Sequence, residues 1–245
     1  MKARRRPVFQ PAKPISCLDC PARQENVFRL LHADATSRVS EHKFTRRYYE
    51  GEYLFLQGDP ASGVHCIQKG RVKLLYQAPG GHTHILDIAG PGHVLGLETV
   101  FAEERYPVSA EVMEESLICH LPAGLVQRLA RQVPEFLLEV TRTLARALYH
   151  QVLHTADLAT RSALQRFSRV LLECAERYGE PSEDGIQVDA QLTRRDLAEL
   201  AGTAPETVTR LLRQLKATGA LSTQRDRIII HDLQRLREIY LNGLQ

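Results

Sequence analysis

Cys17 and Cys20 form the spacing Cys17-Leu-Asp-Cys20, in a segment kept irregular by Pro11, Pro14 and Pro21. Two thiols so close can ligate a metal centre or cycle as a redox dithiol. Three more cysteines follow: Cys66, Cys119 in Leu117-Ile-Cys-His-Leu-Pro122, and Cys174. The basic first thirteen residues are not followed by the apolar stretch of a secretory signal, so a cytoplasmic setting is expected. Five thiols, an odd number, in a reducing compartment argue against a disulfide scaffold and leave metal binding, redox chemistry or burial. Cys66 falls in a strand pattern and Cys174 on an amphipathic helix, so both read as core.

A second constellation lies between Leu192 and Lys216. Thr193 followed by Asp196 is a capping box for a short helix that ends at Ala201-Gly202, and Thr203 with Glu206 reads as a second box. Pro205 suits the first turn of the helix that follows. Two helices across a Gly turn make a helix-turn-helix. Val208, Leu211, Leu212 and Leu215 share the inward face of the second helix, while Glu206, Thr209, Arg210 and Arg213 share the outward one. Arg can bind guanine O6 and N7, Glu can accept from cytosine N4, and Thr can touch a thymine methyl. Thr193, Arg194, Arg195, Thr203 and Lys216 are placed for phosphates, which position without specifying. Residues 220–223 and 227–230 read as a hairpin wing. The competing reading is a solvated Glu206–Arg210 pair on an ordinary surface helix.

The elements that must position these groups follow from composition and period. The chain has 245 residues, 43% hydrophobic and 25% charged, which suits one large domain or two ordinary ones and excludes global disorder. No apolar run approaches the roughly 18 residues that cross a bilayer. The net charge of +3 is uneven. Lys2, Arg4, Arg5, Arg6 and Lys13 open the chain without an acid, 190–245 carries +3, and 14–189 is left at −5. A basic C-terminal end on an acidic body points to an anionic partner, and the helix-turn-helix within that end makes double-stranded DNA the expected one.

Over 48–122, short β-branched runs are punctuated by glycines. Strands are predicted at 52–56, 64–68, 72–77, 84–88, 107–112 and 116–121, with no crossover helix between them, as in an antiparallel roll. Residues 26–31 read as a short helix-like stretch, and 161–179 as an amphipathic helix. From about 123 the period is helical. Val133, Leu137, Val140, Leu144, Ala147, Gln151, His154 and Leu158 alternate in spacings of four and three, an a/d seam able to pair with a copy of itself or to pack on its own domain. The domain plan is a basic, cysteine-bearing segment at 1–31, a sensor roll at 32–125, a dimer helix at 126–160 and a DNA-binding domain at 161–245. No nucleophile elbow, P-loop or HExxH occurs, so no enzyme is expected.

Gly51-Glu-Tyr-Leu-Phe-Leu-Gln-Gly-Asp59, Ile67-Gln-Lys-Gly70, Gly90-Pro-Gly-His-Val-Leu-Gly-Leu-Glu98 and Glu206-Thr-Val-Thr-Arg210 together resemble the cyclic-AMP-receptor and FNR superfamily of bacterial transcription factors, over nearly the whole chain. The last motif, with Pro205 before Glu206, resembles the FNR branch. The resemblance implies an α+β fold: an N-terminal antiparallel β-roll like cyclic-nucleotide-binding domains, a long dimerisation helix and a C-terminal winged helix-turn-helix. It further implies a homodimer reading a TTGA-type inverted repeat through Glu206, Thr209 and Arg210, with RNA polymerase as a partner and activation as the typical outcome.

For the signal, the FNR branch implies a redox-, oxygen- or NO-responsive iron–sulfur cluster on three N-terminal cysteines and one distant cysteine. Cys17 and Cys20 match the first two and Cys119 the distant one, but Asn26 stands near the place of the third. Asp19, His32, a small thiol or water could fill the open iron, the cluster could be [3Fe–4S], or thiols alone could respond. Cyclic-nucleotide members need an Arg-Ser pair where this chain has Tyr106-Pro-Val-Ser-Ala110, and Val108 leaves a cyclic phosphate without its cation. Haem, bound by some members, is a third option through His65, His82, His84 or His93. The competing class is a ligand-binding protein whose C-terminal unit makes protein contacts.

Overall fold

The computed structural model describes residues 15–188, 192–224 and 227–244, which divide between Tyr149 and His150 into two compact units, unit 1 before and unit 2 after. Lys2, Arg4, Arg5, Arg6 and Lys13 of the basic start, and Arg225 and Asp226 at the wing tip, lie outside the described residues.

Unit 1 opens with a 3-10 turn at Pro21–Glu25 and helix α1, Ala33–His42, with turns rather than helix over 26–31. Eight strands follow: β1 Phe44–Tyr48, β2 Tyr53–Phe55, β3 Gly63–Lys69, β4 Val72–Gln77, β5 Thr83–Ala89, β6 Val94–Leu95, β7 Ser109–Val112 and β8 Ser116–Pro122. Short helix α2, Leu97–Ala102, interrupts them. They form two antiparallel sheets, ordered β1-β8-β3-β6 and β2-β7-β4-β5. Ile67, Val72, Ala110, Val112 and Ile118 bury a core shared by the two sheets, so the roll is closed by apolar side chains of alternate residues.

The first sheet is buried on its other face too. Val64, Cys66, Cys119 and Leu121 project there, under Val27 and Phe28, α1, helix α3 (Ala123–Gln132) and the start of helix α4 (Pro134–Thr160). The helical stretch thus divides at Val133, because Pro134 has no N–H to continue α3 but fits the first turn of α4. Phe136 and Val140 are almost wholly buried in this second core, and Phe28 stacks on Phe136 at 5.2 Å. Beside them Glu139, only 3% exposed, is ion-paired to Arg29 at 2.9 Å and Arg142 at 2.8 Å. Hydrogen bonds from those guanidinium groups, Arg142 first, hold its carboxyl below the usual carboxylate range.

Unit 2 contains the end of α4, then α5, Ala163–Tyr178, started by a capping box between Ser162 and Gln165. The tract after Gly179 is a hairpin, β9 (Gly179–Ser182) and β10 (Gly185–Val188). Helices α6 (Arg194–Leu200) and α7 (Pro205–Ala217) are followed by β11 (Leu221–Gln224), β12 (Arg227–Ile230) and α8 (Leu233–Asn242), with sheet order β11-β12-β10-β9. Phe167, Leu171, Val208, Leu215, Ile230 and Leu236 are buried. Asp157 near the end of α4 is ion-paired to Arg169 (3.1 Å) and accepts from the Tyr240 hydroxyl (3.1 Å), and Arg169 also bonds His154. Among the described residues no helix is long and apolar enough to cross a membrane.

Candidate sensor pocket and candidate nucleic-acid interface

The N-terminal segment is laid over the first sheet by polar anchors. Cys17 N donates to Ser40 Oγ at 3.2 Å, Lys43 Nζ donates to the Ile15 carbonyl, and the Arg23 guanidinium donates to the carbonyls of Phe28 (3.1 Å) and Leu31 (2.7 Å). Beneath it lies a pocket of about 370 Å³ of empty space, part of it open to solvent, whose walls include Cys17, Cys20, Cys66 and Cys119. Cys66 on β3 is the register partner of Cys119 on β8. Gln68 Nε2 lies 3.5 Å from Cys20 Sγ, and Thr45 Oγ1 lies 3.2 Å from Cys119 Sγ. Burial pushes the Cys66 thiol well up, and the nearby Cys119, Cys17 and Cys20 push it the same way, while the Lys43 ammonium opposes. Cys119 is raised by burial, against its Thr45 hydrogen bond and Lys43.

The sequence reading of Cys66 as core is half of what the structure shows, since this buried thiol also forms pocket wall. The other candidates for the open position fare differently. Asp19 and His32 are exposed and do not line the pocket. Asn26 lines it, but its side chain is committed to the local turn: Nδ2 donates to the Ala22 carbonyl (3.0 Å) and Oδ1 accepts from Phe28 N (2.9 Å). Cys174 is buried in α5 of unit 2. None of the five cysteines is joined in a disulfide, and among the described residues no three His, Cys, Asp or Glu side chains converge on one metal ion. A soft, all-sulfur donor set spread round a cavity fits a cluster of several irons, each taking one thiolate, better than a single ion.

The interior of the roll is occupied. Tyr106 stacks on Phe55 at 3.9 Å and donates to the Gly63 carbonyl at 2.6 Å, with Val108 packed alongside. The histidines considered for haem do not gather: His82 and His84 are exposed near the β4–β5 turn, and His93 Nδ1 contacts the Gly90 carbonyl at 3.1 Å. His65 is buried with Phe55 and His120, and its Nδ1 has no hydrogen-bond partner among the described residues.

In unit 2, Thr193 and Asp196 form the reciprocal capping box of α6, at 2.9 and 3.1 Å. The second box is not formed: with Pro205 at N1, the N-cap is Ala204, one residue past Thr203, and no side chain caps α7. Gly202 takes φ +60°, where an added Cβ would meet Leu158 Cδ2 at 2.9 Å. Arg166 of α5, which the sequence reading missed, holds this turn by donating to the carbonyls of Ala201 (2.9 Å) and Gly202 (2.9 Å) and to that of Arg161 (2.8 Å). Val208, Leu211, Leu212 and Leu215 anchor α7, leaving Glu206, Arg210 and Arg213 exposed and Thr209 half-buried. The side chains of Glu206, Arg210 and Arg213 make no ion pair or hydrogen bond among the described residues, so the i,i+4 pair is absent. Arg194 donates to Thr209 Oγ1 at 3.2 Å, and Arg195 pairs with Glu199 at 2.9 Å. Thr193 and Lys216 are exposed and Thr203 is half-buried.

The expected helix seam is split. Val140 and Leu144 face the core of unit 1, because that stripe holds α4 on its own roll, and His154 is taken by Arg169. Leu137, Ala147, Gln151 and Leu158 are exposed. The more continuous exposed apolar stripe runs one step round the helix, through Leu138, Ala145, Leu148 and Val152.

Residues 45–133 match the cyclic nucleotide-binding domain model, and residues 165–239 match the Crp-like helix-turn-helix domain model. The chain is 24% identical to the anaerobic regulatory protein of Pasteurella multocida, over 92% of this chain and 82% of that one. It is 26% identical to the transcriptional activator protein anr of Pseudomonas aeruginosa, over 75% of each. In fold it is similar to FixK2 from Bradyrhizobium japonicum, with a TM-score of 0.71 and 23% identity over 80% of this chain and 96% of that one. The c-di-GMP responsive regulator CLP of Xanthomonas campestris gives 0.70 and 22%, over 82% and 99%.

Proposed function

The chain belongs to the Crp/Fnr superfamily of DNA-binding transcription regulators, and from that premise we propose that it acts as a homodimer reading a TTGA-type inverted repeat under the control of a redox-active group held by thiols. The observation that carries the DNA reading is the exposed, unpaired set Glu206, Arg210 and Arg213 on one face of α7, beside Thr209. Arg210 is assigned to guanine, Glu206 to cytosine N4 and Thr209 to a thymine methyl, its hydroxyl being held by Arg194. Thr193, Arg194, Arg195, Thr203 and Lys216 contact phosphates, as do the first-turn N–H groups of α7, which no side chain caps. Two half-sites require two chains, and the stripe Leu138–Ala145–Leu148–Val152 is the face for that pairing. As an activator, the bound dimer would then contact RNA polymerase.

Cys17, Cys20 and Cys119 would hold an iron–sulfur cluster, which supplies chemistry sensitive to oxygen and nitric oxide when bound. The chain's own part is transmission. The segment that carries Cys17 and Cys20 grips α4 through the Phe28–Phe136 stack and the Arg29–Glu139 ion pair. A change in how the two thiols are held therefore alters the seating of α4 and biases its pairing with the partner copy, a shift between populations that differ in DNA affinity. A metal-free thiol switch is the second reading, resting on Cys17 and Cys20, the two half-buried thiols of the pocket wall, whose spacing suits a redox dithiol.

Fluorescence anisotropy with a TTGA-type palindrome and a scrambled duplex, near physiological salt, tests the DNA reading. Tighter binding to the palindrome by on the order of a thousandfold is expected. Equal affinity for the two would contradict it.

A further inference from the structure

We propose that Cys66 is the fourth ligand of the pocket, so that Cys17, Cys20, Cys66 and Cys119 form one four-thiolate site for a cluster of several irons. This rests on the reading that the pocket holds a cluster and names the residue that completes it.

The family pattern leaves one iron without a cysteine at Asn26, and Asn26 cannot serve, because its amide is used at both ends by the turn. Asp19 and His32 point to solvent rather than into the cavity. Cys66 is already there. Antiparallel pairing places it opposite Cys119, on the same outward face of the sheet, and both thiols reach the wall that Cys17 and Cys20 close from above.

Cys66 is close enough to Cys17, Cys20 and Cys119 for each to influence its ionisation. Among the described residues its thiol makes no hydrogen bond, whereas Cys119 is held by Thr45 and Cys20 by Gln68. A thiol this buried is inert toward oxidants by itself, but iron displaces the proton on binding, each Cys–SH giving its proton to solvent as the S–Fe bond forms. The ammonium of Lys43, itself on the wall, compensates part of the negative charge that four thiolates bring into an apolar cavity. A single tetrahedral ion such as zinc needs its ligands converged on a point, which these thiols are not.

The test is anaerobic reconstitution of the full chain with ferric iron, sulfide and dithiothreitol, the dithiol reducing part of the iron to the ferrous state, followed by iron and acid-labile sulfide assays and Mössbauer spectra. C66S and C66V are compared with C119S, C174S and the unaltered chain, and circular dichroism checks that each is folded. C66V keeps an apolar side chain in the core should C66S fail to fold. The unaltered chain and C174S should take up a cluster. The Cys66 variants, like C119S, should retain iron at least about tenfold more weakly, or hold a cluster one iron short. Iron and sulfide in folded C66S or C66V equal to the unaltered chain, with C119S depleted, would overturn the assignment of Cys66 and leave the cluster reading standing. No iron in the unaltered chain would overturn both.

Discussion

Cys66 and Cys119 face each other across β3 and β8, and the residues next to them, His65 and His120, face each other on the opposite side of the same sheet. One strand pair thus carries two kinds of chemistry. The alternation of a strand sends the thiols under the N-terminal segment and the imidazoles into the roll.

The imidazole side makes a pH prediction. Burial, and then the neighbouring His120, lowers the pKa of His65 to about 3, from 6.5 in the unfolded chain. Between those values the unfolded chain binds the extra proton, so stability rises with pH and is lost as pH falls below about 6.5. The loss at pH 5 should be about 2 kcal/mol, and thermal melts of His65→Gln should show a flatter pH dependence across that window.

Arg210→Ala should weaken binding to the TTGA-type site by about 1–3 kcal/mol and relax preference at one base position. Lys216→Ala should weaken all duplexes alike and reduce the salt dependence of binding. Titrations at several salt concentrations distinguish the two.

Arg166→Ala removes three hydrogen bonds to the carbonyls of Arg161, Ala201 and Gly202. Loss of a charged donor from partly buried acceptors should destabilise unit 2 by about 1.5–3 kcal/mol. Urea unfolding reports this, with a parallel loss of DNA affinity although Arg166 lies on neither assigned contact face.

Two sides of α4 should respond differently. Leu148→Asp, on the exposed stripe, should shift the chain toward monomer in sedimentation at micromolar concentration without loss of secondary structure. Phe136→Ala, on the buried side, should instead cost about 3–5 kcal/mol of stability.

Much of the fold was legible because its signals are local. β4 and β12 coincide with the predicted runs 72–77 and 227–230, and the Thr193–Asp196 box is formed as the spacing implies. β1 was missed because Arg46 and Arg47 stand where an alternating apolar pattern was sought, on an edge strand. Thr203 misled because Pro205 shifts the cap by one residue. The seam misled because Val140 and Leu144 satisfy heptad spacing while facing their own roll. Arg166 bonds carbonyls 35 and 36 residues away, and Cys66 meets Cys119 only through strand register. Neither relation leaves a mark on local spacing.

The most direct measurement is DNA affinity before and after oxidation of one sample. Anaerobically prepared protein loaded with iron and sulfide is titrated onto the TTGA-type palindrome, exposed to a controlled dose of oxygen, and titrated again. The account predicts specific binding that weakens by at least about tenfold, or 1.4 kcal/mol, after oxygen. Affinity that does not change with oxygen, or that never favours the palindrome over a scrambled duplex, would contradict it.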